Sequence, residues 1–249
     1  MMKKVLSSLI PLWVALGVLL VWWIVSLFIG VELIMPTPWV TLKETFRLFS
    51  SGDFWLGLGN TLLRSLVAFA FSFVIALSLA VLSSLSTVFS KAAGGILAVV
   101  RSIPTMSVIL LLLIWTKPTG APVFVAAIVI CPTLYSAFCG AIGSVDPKLK
   151  EMCKLYRVSK KEQIVKLYLP SMAEGMFEGT ASGLSLNLKL VIAAEALALT
   201  KNSVGGMMQS AKVWLETGQL MALTLVAVLL GVFAEWIVRS VGKAVMKWK

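Results

Sequence analysis

The sequence has no histidine, only three cysteines (Cys131, Cys139 and Cys153) and only eleven acidic residues among 249. Without imidazole there is no ordinary base for a serine or cysteine triad and no usual nitrogen ligand for zinc or iron. The three thiols make neither a disulfide framework nor a metal knuckle. Cys131 and Cys139 fall inside an apolar run, where a thiol behaves as a small hydrophobe. The phosphate-cradling pattern G-x-x-x-x-G-K-[ST] is missing as well, so no nucleotide is expected to be hydrolysed on this chain. No repeat of 20 to 50 residues is visible, and no segment has the composition of a separate soluble domain. Redox, metal and P-loop chemistry are excluded as first readings, and no cofactor is expected on the chain.

Apolar residues fill the space left by those absences. The chain is 59% hydrophobic and 13% charged, with a mean hydropathy of +0.97, too apolar for a soluble domain. About 20 residues at about 1.5 Å rise cover a hydrocarbon core of roughly 30 Å. Runs over residues 9–29, 58–82, 92–115, 121–143, 171–199 and 220–240 therefore predict an all-α, polytopic membrane protein of about six spans. The whole of residues 1–249 reads as one membrane domain. Residues 9–29 follow two lysines without a small-x-small cleavage pattern, which predicts a retained first helix with Trp22 and Trp23 at an interface. Residues 41–49 predict a short surface helix.

The net charge of +11 is distributed unevenly between the two sides of such a bundle. With the N-terminus inside, fourteen basic residues fall inside: Lys3, Lys4, Lys91, Lys148, Lys150, Lys154, Arg157, Lys160, Lys161, Lys166, Arg239, Lys243, Lys247 and Lys249. Five, namely Lys43, Arg47, Lys117, Lys201 and Lys212, fall outside. This is the bias that orients helices in a bilayer, and it places both termini in the cytoplasm without calling on a nucleic-acid partner.

One charged stretch interrupts the apolar pattern, EMCKLYRVSKKEQIVKLYLP at residues 151–170, preceded by Asp146-Pro147. Asp accepts from orphan amides at a helix start and Pro suits the first helical position. Leu149, Met152, Cys153 and Tyr156 follow at i, i+3, i+4 and i+7 as one apolar stripe. Ser159 and Glu162 form a capping-box pattern that opens a second helix, and Pro170 predicts non-helical geometry at Leu169. Residues 146–170 thus read as two short amphipathic helices on the cytoplasmic face. On physical grounds alone they suit anionic headgroups as well as a protein partner.

The spacing of this stretch resembles the cytoplasmic loop of bacterial ABC-importer permeases, E-A-A-x3-G-x9-I-x-L-P. Glu151 stands in the Glu place, Leu167 in the Ile place and Leu169-Pro170 in the Leu-Pro place, while Met152, Cys153 and Arg157 replace Ala, Ala and Gly. The stretches MPTPWVTLKETF, LRSLVAFAFSFVIALSLAVL, VRSIPTMSVILLLLIW, AIGSVDPKLKEM and AEALALTKNSVGGMMQSAKVWLETG widen the resemblance to about residues 10–240. They resemble the type I permeases for nitrate, sulfonate, taurine and thiamine-precursor uptake. The resemblance implies a bacterial inner-membrane permease in which Glu151, Met152, Cys153, Arg157, Leu167, Leu169 and Pro170 couple to a separate ATP-binding subunit dimer. That partner would carry ATP and magnesium. It also implies a second permease subunit, usually a copy of the same chain, and an extracytoplasmic solute-binding protein. Residues 32–53 and 200–218 would meet that binding protein.

Charges inside a bilayer are costly, roughly 2.5 to 3.5 kcal/mol each on insertion scales. Apart from Arg239, counted above at the inner end of its run, three basic residues fall within the predicted spans: Arg64, Arg101 and Lys189. Arg64, near the outer end of its helix, is expected to snorkel. Glu178, Ser182, Ser185 and Lys189 recur at i, i+4, i+7 and i+11, with Asn187 and Glu195 nearby, and predict one wall of a solute path. Arg101, Ser102 and Thr105 flank Pro104, which should kink or break its helix and free a carbonyl, as in the broken helices of transporter cavities. The competing possibility is that Arg101 and Lys189 pair with Glu195 or with carbonyls for structure. Other readings of the whole chain are a membrane coupling subunit of an energy-coupling-factor vitamin importer, or a secondary carrier, for which no coupling-ion site or inverted repeat is visible. An intramembrane enzyme would have to use Glu174 and Glu178, the only close helical pair of acids.

Overall fold

The structure is a computed structural model that describes residues 2–159 and 162–246, the side chains of residues 2–12, 150, 154, 164 and 165 being outside that description. Lys160, Lys161, Lys247 and Lys249, counted above in the inner charge, lie outside the described residues. The side chains of Lys3, Lys4, Lys150 and Lys154 do so too.

The described chain is helical throughout, without strands: α1 (Met2–Ile29), α2 (Pro38–Phe49), α3 (Gly52–Leu85), α4 (Thr87–Ser102), α5 (Thr105–Trp115), α6 (Ala121–Gly143), α7 (Pro147–Leu155), a π-helical segment (Gln163–Tyr168), α8 (Leu169–Leu197), α9 (Val204–Val213) and α10 (Thr217–Val245). Among the described residues, α3, α6 and α10 are each long and apolar enough to cross a membrane. The residues expected as one span at 92–115 form two helices bent by 89° at Ile103-Pro104, the geometry of a broken span or of a re-entrant loop. The missing amide of Pro104 stops α4 from continuing, and Pro104 instead caps α5. α8, expected as a span at residues 171–199, has 29 residues, ample to span at about 1.5 Å each, although it is less apolar than α3, α6 and α10.

Large apolar side chains cover the outside of the bundle as well as its core. The buried face of α3 is a run of small residues, Gly57, Thr61, Ser65, Ala68, Ser72, Ala76, Ala80 and Ser83, while Leu63, Leu66, Phe71 and Val74 point outward. Small residues let backbones approach where lipid offers no hydrophobic drive for association. α8 repeats the device against α6: Gly175, Gly179 and Gly183 lie on Ala141, Ala137 and Leu134. A Cβ at Gly179 would come 2.6 Å from the Ala137 Cβ, so only glycine allows this approach.

Two apolar clusters fill the bundle. One gathers Leu48, Phe54, Leu58, Leu188, Ile192, Val204, Leu223 and Val226 from α2, α3, α8, α9 and α10. The other gathers Ala76, Ala80, Ala93, Ile130, Leu134 and Phe138 from α3, α4 and α6. α1 ends at Gly30, whose φ of +63° closes the helix, and the chain is then pinned back by Trp22 Nε1 donating to the Pro36 carbonyl at 3.2 Å and Ser26 Oγ to the Met35 carbonyl at 3.0 Å. α2 begins one turn before the expected surface helix because Thr37 caps it and Pro38 takes the first position.

Candidate functional site

The charged interruption folds as a helix, a tight turn and a second helical start. Asp146 Oδ1 accepts from the Lys148 amide at 2.8 Å and opens α7. Within the predicted stripe only Cys153 is buried, whereas Leu149, Met152 and Tyr156 are exposed, joined by Leu155. The result is an apolar surface on a basic helix, beside an exposed Glu151. α7 closes with Arg157 at φ +50°, and the Val158 amide donates back to the Cys153 carbonyl at 2.9 Å. That six-to-one bond over a left-handed residue is a Schellman closure, with arginine where glycine is the usual choice.

Ser159 and Glu162 make the predicted capping box: the Glu162 amide donates to Ser159 Oγ at 3.3 Å and Ser159 Oγ donates to Glu162 Oε2 at 3.0 Å. Lys166 Nζ, 3.1 Å from Glu162 Oε1, together with the Ser159 hydroxyl holds the Glu162 carboxyl below the usual carboxylate range. The expectation at Leu169 is corrected. No break precedes Pro170, because the π-helical register of Gln163–Tyr168 widens the turn ahead of the proline and the chain runs on into α8. Leu167 and Pro170 are half-buried and Leu169 is exposed. Leu169 and Pro170 line an apolar groove of about 680 Å³ with Phe73, Met176, Phe177 and Val245.

At the other end of α8 sits a buried polar knot. Glu195 is fully buried, its Oε1 2.9 Å from Arg64 Nη1, while Oε2 accepts from Thr61 Oγ1 at 2.9 Å and from the Gly205 amide at 3.3 Å. Thr61 Oγ1 accepts the Val204 amide at 3.0 Å, and Ser203 Oγ accepts the Gly206 amide at 3.0 Å. The first three amides of α9 are thus each met by a side chain, and a carboxylate sits at the positive end of that helix. A Cβ on Gly205 would collide with the Ile192 carbonyl, so glycine is required for α9 to rest on α8. Arg64, expected to snorkel, turns inward with 15% of its side chain exposed.

The residues expected to wall a path divide between two faces of α8. Asn187 donates to the Ser65 carbonyl at 2.8 Å and to Ser65 Oγ at 2.9 Å, so it belongs with Glu195 to the face that packs on α3. Ser185 is buried beside Gly231 of α10. Glu178, Ser182 and Lys189 remain on an open face. Glu178 is bound there by Arg239 of α10 at 2.6 Å, which also holds Glu235 at 2.8 Å. Arg101 and Ser102 are exposed and Thr105 half-buried at the α4–α5 break. Of the two structural alternatives for Arg101, Glu195 or a carbonyl, the structure shows the carbonyl, and Glu195 goes to Arg64 instead. Arg101 donates to the Pro132 carbonyl at 2.9 Å and to Ser136 Oγ at 2.6 Å on α6.

Residues 32–53 and 200–218 meet at one end of the bundle. Thr217 Oγ1 donates to the Glu32 carbonyl at 3.0 Å, and Glu32, Glu44, Arg47 and Glu216 line a cleft of about 280 Å³. Thr61, Ser65 and Gly205 were not singled out from the sequence. The spacing of small and polar residues along α3 is the signal that marks the first two.

Comparison with known proteins gives a consistent result. The family profile described as binding-protein-dependent transport system inner membrane component matches residues 72–247. A Bacillus subtilis (strain 168) protein named as an aliphatic sulfonates transport permease protein, SsuC, is 24% identical over 219 residues, covering 87% of this chain and 78% of its own. The taurine transport system permease protein TauC of Escherichia coli (strain K12) is 24% identical over 242 residues, covering 94% and 87%. In fold the chain is similar to one from a bacterial ABC transporter involved in the import of the acidic polysaccharide alginate, with a TM-score of 0.66 at 17% identity over 99% of both chains. It is also similar to a chain of an amino acid ABC transporter, with a TM-score of 0.62 at 15% identity over 84% of this chain and 96% of that one.

Proposed function

The chain belongs to the family of binding-protein-dependent transport system inner membrane components, and we propose that it carries a small sulfonate solute inward from an extracytoplasmic binding protein. Its place as a membrane permease of an ABC importer follows from the family and the relatives. The relatives named for aliphatic sulfonates and taurine favour that solute class over the nitrate and thiamine-precursor classes raised by the sequence.

ATP and magnesium belong to a partner ATPase, and α7 is the part of this chain that meets it. The observation that carries this reading is mechanical: an exposed apolar patch on a basic helix connects, through a capped turn and a π-helical segment, to the uninterrupted length of α8. Displacement of α7 by closure of the ATPase would be passed to α8 as a rigid element. Two copies of the chain with both termini in the cytoplasm would enclose the path between them, each contributing the open face of α8 and the broken α4–α5 span. The joined outer segments would receive the binding protein.

The test is co-purification from membranes with the ATP-binding subunit, comparing the parent chain with a variant whose residues 151–170 are replaced by a flexible polar loop. Retention by the parent and loss by a well-inserted variant is the expected result. Equal retention by both would overturn the coupling role.

A further inference from the structure

α8 leaves one face uncovered along its length. Glu178, Ser182, Leu186, Lys189 and Ala193 fall at i, i+4, i+8, i+11 and i+15, and all are exposed. Of the three basic residues within the spans besides Arg239, Arg64 is spent on Glu195 and Arg101 on the Pro132 carbonyl and Ser136. Lys189 has neither an ion pair nor a hydrogen bond among the described residues. Its neighbour across the seam is Gly231 of α10, where a Cβ would stand 3.8 Å from Lys189 Cε and 3.3 Å from Ser185 Oγ. The acidic groups that share this seam are Glu178 and Glu235, and Arg239 binds both. Glu178 is also about 16 Å away along the helix axis. An ammonium so placed has no fixed counter-charge, and it is tolerable within a bilayer only where water and mobile anions reach it.

We propose that Lys189 is the anion-selecting residue of the solute path, its ammonium taking the oxyanion of each passing solute on the open face of α8. The proposal rests on the reading of that face as the path and of the solute as a sulfonate. A mobile counter-ion is what a transporter needs at such a point, since a permanent carboxylate partner would have to be displaced at every passage. The bare Gly231 beside the lysine leaves the ammonium room to swing toward the solute. A lipid phosphate offers the same oxyanion chemistry, so the test has to separate water from lipid.

The experiment places a thiol one turn outward on the same face, Ala193→Cys, in membrane vesicles carrying the assembled importer with Cys131 and Cys139 replaced by Ala and the buried Cys153 of the coupling segment retained, the same vesicles with Ala193 unchanged giving the background reaction. The thiolate displaces methanesulfinate from either of two water-soluble reagents, the anionic 2-sulfonatoethyl or the cationic 2-(trimethylammonium)ethyl methanethiosulfonate, leaving a mixed disulfide. With Lys189 present both reagents are expected to react, the anionic one with the advantage. In Lys189→Gln the anionic-to-cationic rate ratio falls about tenfold, the size of effect that one unit charge exerts a turn away in a water-filled site. In Lys189→Arg it is kept.

An unchanged ratio in Lys189→Gln overturns the proposal. Failure of both reagents to react also overturns it, since the face is then in lipid. ATP-driven uptake of radiolabelled ethanesulfonate into the same vesicles is the second readout, expected to fall in Lys189→Gln and persist in Lys189→Arg. If the parent importer accumulates no ethanesulfonate while the reagent ratio still collapses, the sulfonate reading fails and the assignment of Lys189 to an anion stands.

Discussion

Arg64 Nη1 lies 2.9 Å from Glu195 Oε1, with the carboxylate fully buried, so one ion pair ties α3 to α8 where α9 comes to rest. The pair is stabilised by what surrounds it: Thr61 and the Gly205 amide occupy the other carboxylate oxygen, so neither oxygen of the buried carboxylate is left without a donor. Removing one partner leaves a buried charge alone, a loss of about 3 to 5 kcal/mol for such pairs.

Glu195→Ala is therefore expected to destabilise the purified chain by about 3 kcal/mol or more in a denaturant titration, and to free α9 from α8. Arg64→Met combined with Glu195→Gln removes both charges and should recover part of that loss. A double variant no more stable than Glu195→Ala would mean that packing rather than charge holds the junction.

The contact of α8 with α6 gives a sharper steric prediction. A Cβ at Gly179 meets the Ala137 Cβ at 2.6 Å, on backbone that cannot yield without moving a helix. Gly179→Ala should cost about 1 to 3 kcal/mol, the range for overpacking a tight interface. Pairing it with Ala137→Gly moves the methyl to the other side of the same contact. Recovery of most of the unfolding midpoint in the double variant is the expected outcome of a two-by-two comparison.

The sequence was most legible where composition alone decides. The apolar runs located the long helices, with α6 at the boundaries expected for it, because burial in lipid demands continuous apolar helix whatever the partner. Asp146 and the Ser159 and Glu162 box were legible because caps are local. Legibility failed where a contact crosses between helices. No periodicity along α8 reveals that Asn187 and Glu195 face Ser65, Thr61 and Arg64 more than 120 residues away in sequence. α9 went unread because its start depends on Thr61 and Glu195 supplying acceptors from other helices. Pro170 misled because a proline rule written for α-helices does not hold after a π-helical turn.

Acid should loosen the second helical start. Lys166 first and Ser159 next hold the folded Glu162 carboxyl below its ordinary range. A group so depressed contributes its stabilisation above the unfolded pKa and loses it as pH falls through the folded one. Hydrogen-exchange protection of the Glu162 and Gln163 amides is expected to be level near neutrality and to drop as the solution is acidified below the ordinary glutamate range. In Glu162→Gln the pH dependence should vanish. A drop of the same shape in that variant would assign the acid effect to another group.

Arg157 gives the last prediction, on which the turn of the charged segment depends. At φ +50° an L side chain stands too close to its own carbonyl, a strain of roughly 1 to 2 kcal/mol that glycine does not suffer. The turn keeps that geometry because the Val158 amide must reach the Cys153 carbonyl and Gln163 Nε2 donates back to the Val158 carbonyl at 2.8 Å. Arg157→Gly should therefore strengthen the turn, slowing exchange of the Val158 amide by about fivefold or more for a gain near 1 kcal/mol. Arg157→Val, branched at Cβ, should speed it. The arginine is fully able to meet a partner, so the ATPase readout separates the two roles of this position. If Arg157→Gly steadies the turn yet lowers recovery of the ATP-binding subunit in co-purification, the guanidinium itself touches the ATPase and the strain is retained for that contact. If recovery rises with turn stability, Arg157 serves only as the left-handed residue of the closure, and glycine serves better.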